Sequence, residues 1–231
     1  MVQPVVTLPL VWPSDDELEL VDAMVQSLQI YEATNALKAR YYEGEQVVEM
    51  LNISIPPALQ SLETVVGWPG TTVDVLEERL DWYGWATEGD DFDLPDVYAA
   101  NQLDVDASLA HLDALIYGTA FAVVGAGFDG EPSPLVTMHS PRSMTGIYSG
   151  RSRRLTDALS VVYEGGQATE VTLYRTDQTV YLSRSPYGGR WVVDERDRHN
   201  LGRVPVVQFV NRPRASRTGG RSEISKAVRY Y

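Results

Sequence analysis

The sequence predicts an α+β protein in which an N-terminal helical region packs with a mainly antiparallel β-sheet. Three observations carry this prediction. Apolar residues recur at helical spacing within residues 14–117. From residue 119 the pattern turns to short apolar and alternating runs punctuated by glycine pairs and Asp-Gly. The two regions follow one another and do not alternate, which argues for segregated helices and strands and against layered β/α repeats.

In chain order, residues 1–13 read as an extended arm. Pro4 and Pro9 interrupt an apolar stretch that lacks the basic start of a signal peptide. Residues 14–42 read as a long helix. Ser14 and Glu17 make a capping box, acids fill the first turn, and Leu18, Val21, Val25 and Leu28 fall on one side. A short helix is expected at 45–51. Another is expected within ISIPPALQSLETVVGWPG, opened by Pro57 and closed by Gly67 and Pro69. Thr71 and Asp74 open a helix that reaches Tyr83. The clearest helix covers 95–117, with a stripe of Tyr98, Val105, Leu109, Leu112 and Ile116 and a stop at Gly118. An antiparallel meander follows, with strands at 119–127, 134–139, 144–148, 157–164, 168–176, 178–183, 189–193 and 203–210. Asp129-Gly130, Gly165-Gly166 and Gly188-Gly189 mark its turns. Residues 222–231 start a helix that reaches Tyr231 with neither a glycine nor a proline to stop it. About ten residues are too few for a stable isolated helix, so this one is expected to dock on something or to continue in a longer protein.

The formal charge of −13 conceals a split. Residues 1–140 hold 24 acidic and 3 basic side chains, whereas residues 141–231 hold 8 and 16. Seventeen of the nineteen basic residues are Arg, the better partner for planar carboxylate and phosphate groups. Such an asymmetry predicts an acidic–basic contact, either with nucleic acid or with the opposite half of a neighbouring subunit. The absence of cysteine excludes disulfides and thiol chemistry, and three histidines without cysteine argue against a zinc site. No uninterrupted apolar run is long enough to span a bilayer. The expectation is a soluble protein made and used in a cytoplasm, with no cofactor.

Four patterns invite chemistry. GAGFDG at 125–130 fits a dinucleotide-binding spacing, but that chemistry needs a helix directly after the glycines. Pro132 and Pro134 follow instead, so the segment reads as a hairpin. Asp104, Ser108 and His111 share a helix face, but a helical serine lacks the strained turn and free amides of a nucleophile, so a polar face is expected. The stretch 88–96 carries Glu88, Asp90, Asp91, Asp93 and Asp96. It allows a metal-dependent nuclease or hydrolase reading, with the Asp90 to Asp96 cluster binding metal and arginines as electrophiles. The same acids also suit the start of the next helix. Lastly, Arg151, Arg153 and Arg154 form one basic cluster, and Arg212, Arg214, Arg217 and Arg221 form another in an exposed, mobile Gly/Ser/Thr-rich loop. With no aromatic residue interleaved, either cluster suits phosphate or inter-subunit contact, not base stacking.

Taken together, RYYEGEQ (40–46), IPPALQSLETVVGWPGTTVDVLEERL (55–80), LDALIYGTAFAVVG (112–125) and HNLGRVPVVQFVNRPRASRTGGRSEI (199–224) resemble the portal proteins of tailed bacteriophages, in the SPP1-like group common in actinobacterial phages and prophages. The resemblance implies a structural part, not an enzyme: a ring of identical subunits, typically a dodecamer, at one capsid vertex of the virion. Double-stranded DNA is packaged and ejected through that ring without sequence specificity. It also implies terminase, capsid and head–tail connector proteins as partners, and assembly in the host cytoplasm. In that layout residues 1–13 are an N-terminal arm, 14–117 the helical part of a peripheral wing and 118–211 its β part. Residues 212–231 are the Arg-rich loop and the start of the stem helix. Portals of the group are roughly twice as long, so most of the stem, clip and crown is expected to lie beyond this sequence. The remaining alternative is a stand-alone acidic interaction domain.

Overall fold

The computed structural model describes residues 11–45, 67–90, 92–185, 189–215 and 219–225. The helices expected at 45–51 and 55–67, most of the N-terminal arm and residues 226–231 of the final helix start lie outside these residues. Among the described residues four helices, α1 (Asp15–Glu43), α2 (Trp68–Glu77), α3 (Leu94–Ala100) and α4 (Leu103–Tyr117), precede eight strands. These are β1 (Thr119–Gly125), β2 (Leu135–His139), β3 (Met144–Ser149), β4 (Arg154–Glu164), β5 (Gln167–Tyr174), β6 (Gln178–Ser183), β7 (Val192–Arg198) and β8 (Val206–Val210). All strand pairings are antiparallel, and the α+β class holds. The chain forms two compact units, Met1–Gln29 with Ser143–Pro205, and Ile30–Arg142 with Val206–Tyr231.

The first unit is a five-stranded meander, β3-β4-β5-β6-β7, in which each strand pairs with its sequence neighbour. Gly165 and Gly166, both at positive φ (57° and 80°), make the tight β4–β5 turn, whose backbone matches the strand twist. The first half of α1 lies on this sheet. Val21, Met24, Val25 and Leu28 are buried against Leu159, Leu173, Val180, Leu182 and Trp191, with Leu18 at the margin. The predicted capping box is present: the Ser14 amide donates to Glu17 Oε2 at 2.8 Å and the Glu17 amide to Ser14 Oγ at 3.3 Å. Glu17 does more than cap. It is buried and takes both terminal nitrogens of Arg196, at 2.5 and 2.8 Å, tying the helix start to β7. That guanidinium holds the Glu17 carboxyl far below its usual range, at about 2, against the opposing effect of burial. β7 extends through the charged run to Arg198, well past the expected end at 193. It is an edge strand, where charged side chains cost little and blunt edge pairing. Val11 bridges to Val193 beside it.

The second unit contains a separate three-stranded sheet, ordered β2-β1-β8. The expected single meander is therefore broken, because β8 returns to pair with β1 (Thr119 with Val210, Val123 with Val206). α2 starts earlier than expected, at Trp68. Pro69, read as the end of the preceding helix, sits in the first turn of α2, where its missing N–H costs nothing. The expected helix over 95–117 is two helices, broken at Asn101 and Gln102, the latter at φ 50°. The buried Asn101 side chain donates to the carbonyls of Val97 (2.9 Å) and Pro134 (3.0 Å) and accepts from the Val136 amide (2.8 Å). It thus satisfies backbone groups at the start of β2. The break resets the helical phase, so the buried face of α4 is Leu103, Ala107, Ala110 and Ala114. Val105 and Leu109 of the expected stripe face outward. Ala110 and Ala114 pack on Ala120, with Met138 and Phe209 alongside. Tyr41, Val73, Leu115, Ile116 and Ile224 form a second core.

Candidate functional site

The two arginine clusters occupy different units and different environments. Arg151, Arg153 and Arg154 sit on the β3–β4 turn, all exposed and in no ion pair among the described residues. The turn is ordered by its own backbone: the Arg153 amide donates to Ser149 O at 2.8 Å and the Ser152 amide to Ser149 Oγ at 3.3 Å.

The second cluster is tied down at both ends. The Asn211 amide donates to Gly118 O (3.0 Å), and its side chain donates to Arg221 O and Glu223 Oε1, each at 2.8 Å. The Glu223 amide bonds Leu115 O at 2.9 Å, and its carboxylate pairs with Arg212 Nε. Gly220 passes so close that an added Cβ would lie 2.0 Å from Gly118 O, at a φ of 67° that side chains disfavour. Ile224, just beyond, is buried. Arg214 is exposed, Arg221 half-buried, and Arg217 lies outside the described residues. The expected mobile loop is therefore anchored at its base, with Arg212 and the Arg221 backbone helping to anchor it. The cue was Asn211 directly after an apolar strand, a residue suited to bonding backbone groups.

The other patterns resolve simply. GAGFDG leads from β1 into the β1–β2 hairpin, closed by the Glu131 amide on Phe128 O at 2.9 Å. Ser108 Oγ donates to Glu77 Oε1 at 2.6 Å, and His111 Nδ1 has no partner among the described residues, so Asp104, Ser108 and His111 do not assemble. In the acidic stretch, Asp90 accepts the Phe92 amide at 3.1 Å and Asp96 lies in the first turn of α3. Asp91 lies outside the described residues. Among the described residues no group of three His, Asp or Glu side chains is placed to hold a metal, and no helix is long and apolar enough to cross a membrane.

Two features of the second unit went unread in the sequence. A strap at 78–90 brings Trp82 and Trp85 edge-on to each other and to Tyr98, with ring centroids 5.1 to 5.9 Å apart. Trp82 Nε1 donates to Gly84 O at 2.8 Å, and Tyr98 donates its hydroxyl to Trp82 O. Between this strap and the sheet lies an open groove of about 700 Å³. Its floor is the alternating set Ala122, Val124, Val136, Met138, Val207 and Phe209. The second feature is a smaller cleft of about 360 Å³ lined by Tyr42, Asp113, Tyr117, His139 and Ser140. Burial raises Asp113 and Tyr117 and lowers His139, keeping each in its neutral form over a wider pH range. Burial, reinforced by Asp74, pushes Tyr42 up to about 12. Arg142 beside them donates to Glu32 at 2.8 Å.

The sequence model of a family described as phage portal protein, SPP1 Gp6-like, matches residues 31–228. The chain belongs to this portal family. Curated relatives agree. It is 32% identical over 221 residues to the portal protein of Mycobacterium phage D29, and 30% identical over 240 residues to that of Mycobacterium phage L5. These alignments cover 90% and 96% of this chain but 45% and 48% of the relatives, so the chain spans about half their length. The portal match includes β1, β8 and the Asn211-anchored loop, as well as the strap and α4 that build the groove.

Proposed function

We propose that the chain is part of a phage portal: a structural, non-enzymatic subunit of a ring at the capsid vertex of the virion, through which double-stranded DNA is packaged and ejected. The observation that carries this reading is the family match across residues 31–228. In this reading residues 14–117 and 118–211 supply the helical and β parts of a peripheral wing, and residues 212–231 lead toward the stem. Identical subunits are the first partners. Terminase, capsid and head–tail connector proteins dock on the assembled ring, which forms in the host cytoplasm.

Arg151, Arg153, Arg154 and Arg214 are exposed without interleaved aromatics. That arrangement suits contacts with phosphate or with a neighbouring carboxylate surface and leaves base edges unread. The test is native mass spectrometry and sedimentation of the purified chain, alone and with a version extended to the relatives' length, alongside DNA binding across a salt series. Closed multimers of the extended version support the reading. DNA affinity that is independent of base sequence and falls steeply with salt supports it further. A strictly monomeric extended chain overturns it.

A further inference from the structure

The groove under the Trp82–Trp85 strap is an open, mostly apolar hollow, and four large side chains that line it remain open to solvent: Leu80 (45% exposed), Trp85 (42%), Val124 (37%) and Val207 (56%). An apolar surface of this kind marks a contact site, and tryptophans are favoured anchors in such sites. Its surroundings are strongly acidic. The strap from 78 to 90 that walls it carries Glu78, Asp81, Glu88 and Asp90 against one basic residue, Arg79, which lines the groove beside Asp81. Asp81 lines the groove, and Asp81 and Asp104 both act on the hydroxyl of Tyr98, which packs against Trp82 and Trp85. A surface of this charge repels nucleic acid phosphates and fits a basic polypeptide with an apolar anchor.

The same chain presents such an element. The β3–β4 turn carries Arg151, Arg153 and Arg154, exposed and without ion pairs among the described residues, next to Ile147, whose side chain is also exposed. Its backbone is fixed by the Ser149 bonds, so little order is lost on docking. The second cluster is less suited, because Arg212 is engaged by Glu223 and Arg221 is half-buried.

We infer that the aromatic groove of one copy is the seat for the β3–β4 turn of a second copy, with arginines of the turn meeting Trp82, Trp85 and the acidic rim. Guanidinium groups stack on indole faces and pair with carboxylates, so both features of the groove are used by one residue type. Because seat and turn are different surfaces of one chain, the contact is head-to-tail and propagates from copy to copy until it closes. This inference rests on the multimer reading above and names the surfaces that would make the multimer.

The chain has no cysteine, so an introduced pair reports on one contact. Val207→Cys chain is mixed with Ser152→Cys chain, whose three turn arginines are intact, and treated with a short bis-maleimide linker. A Val207→Cys and Arg214→Cys mixture is the control, and circular dichroism checks that each variant is folded. The expected result is a covalent heterodimer at least about fivefold above the control, falling about tenfold between ~0.1 M and ~1 M salt as charges are screened. In sedimentation, Asp81→Arg and Arg153→Asp each weaken association and their mixture restores it. Multimers that form without this link, and that ignore the charge exchange, overturn the inference and leave the portal reading standing. A chain that stays monomeric at every concentration and at the relatives' length overturns both.

Discussion

Replacing Glu17 by Gln removes one charge from a buried carboxylate while keeping its size and an acceptor for the Ser14 amide. In the first unit this carboxylate is held from 4.5 down to about 2, chiefly by the hydrogen bonds from Arg196. A depression of that size corresponds to an upper limit of about 3.5 kcal/mol at ~1.4 kcal/mol per pH unit. The Arg196 side chain is 27% exposed, so water screens part of the interaction, and about 2 kcal/mol is the better figure. For a chain of this length that predicts a Tm about 4–8 °C lower for the variant at neutral pH. The pH dependence is the sharper test. Because the folded carboxyl is depressed, its stabilisation is complete above about pH 4.5 and is lost as the pH falls toward 2. The gap between wild type and Glu17→Gln, followed by circular dichroism melting from pH 7 to pH ~2.5, should therefore shrink to about a quarter over that interval. A gap below ~1 °C at neutral pH, or one that stays constant into acid, would refute the argument.

Gly220→Ala places a methyl group against Gly118 O at a left-handed backbone position, and should destabilise the second unit by about 2–4 kcal/mol, visible in urea unfolding as a lower midpoint with an unchanged slope. Asn101→Leu strips partners from Pro134 O and the Val136 amide and should cost about 2–3 kcal/mol, with faster amide exchange at Val136 as the local signature.

The elements that could be read from the sequence are those whose causes are local. The Ser14–Glu17 box, the Gly165-Gly166 turn and the helix stop at Gly118 each depend on neighbours within a few residues, and each appears where expected. The break at Asn101 was hidden because the groups that reward it, Pro134 O and the Val136 amide, lie more than thirty positions away. The buried face of α4 was hidden for a related reason: alanines carry little hydrophobic signal, and only contact with Ala120, Met138 and Phe209 shows them to be core. For the candidate site, charge alone picked out the arginines. It could not tell Arg153, in no ion pair among the described residues, from Arg212, which Glu223 engages. Trp82 and Trp85 carried no periodicity and became a wall only once β1, β2 and β8 supplied the facing floor.

The return of β8 to β1 has a consequence for how the chain is made. Val123 pairs with Val206 and Thr119 with Val210, separations of 83 and 91 residues, and the whole five-stranded meander is synthesised in between. Hairpins of the meander can close as each strand emerges, whereas the central strand of the smaller sheet waits with one hydrogen-bonding edge unpaired. Until residues 206–210 leave the ribosome, the run TAFAVVG offers an unpaired strand edge to any other extended chain nearby.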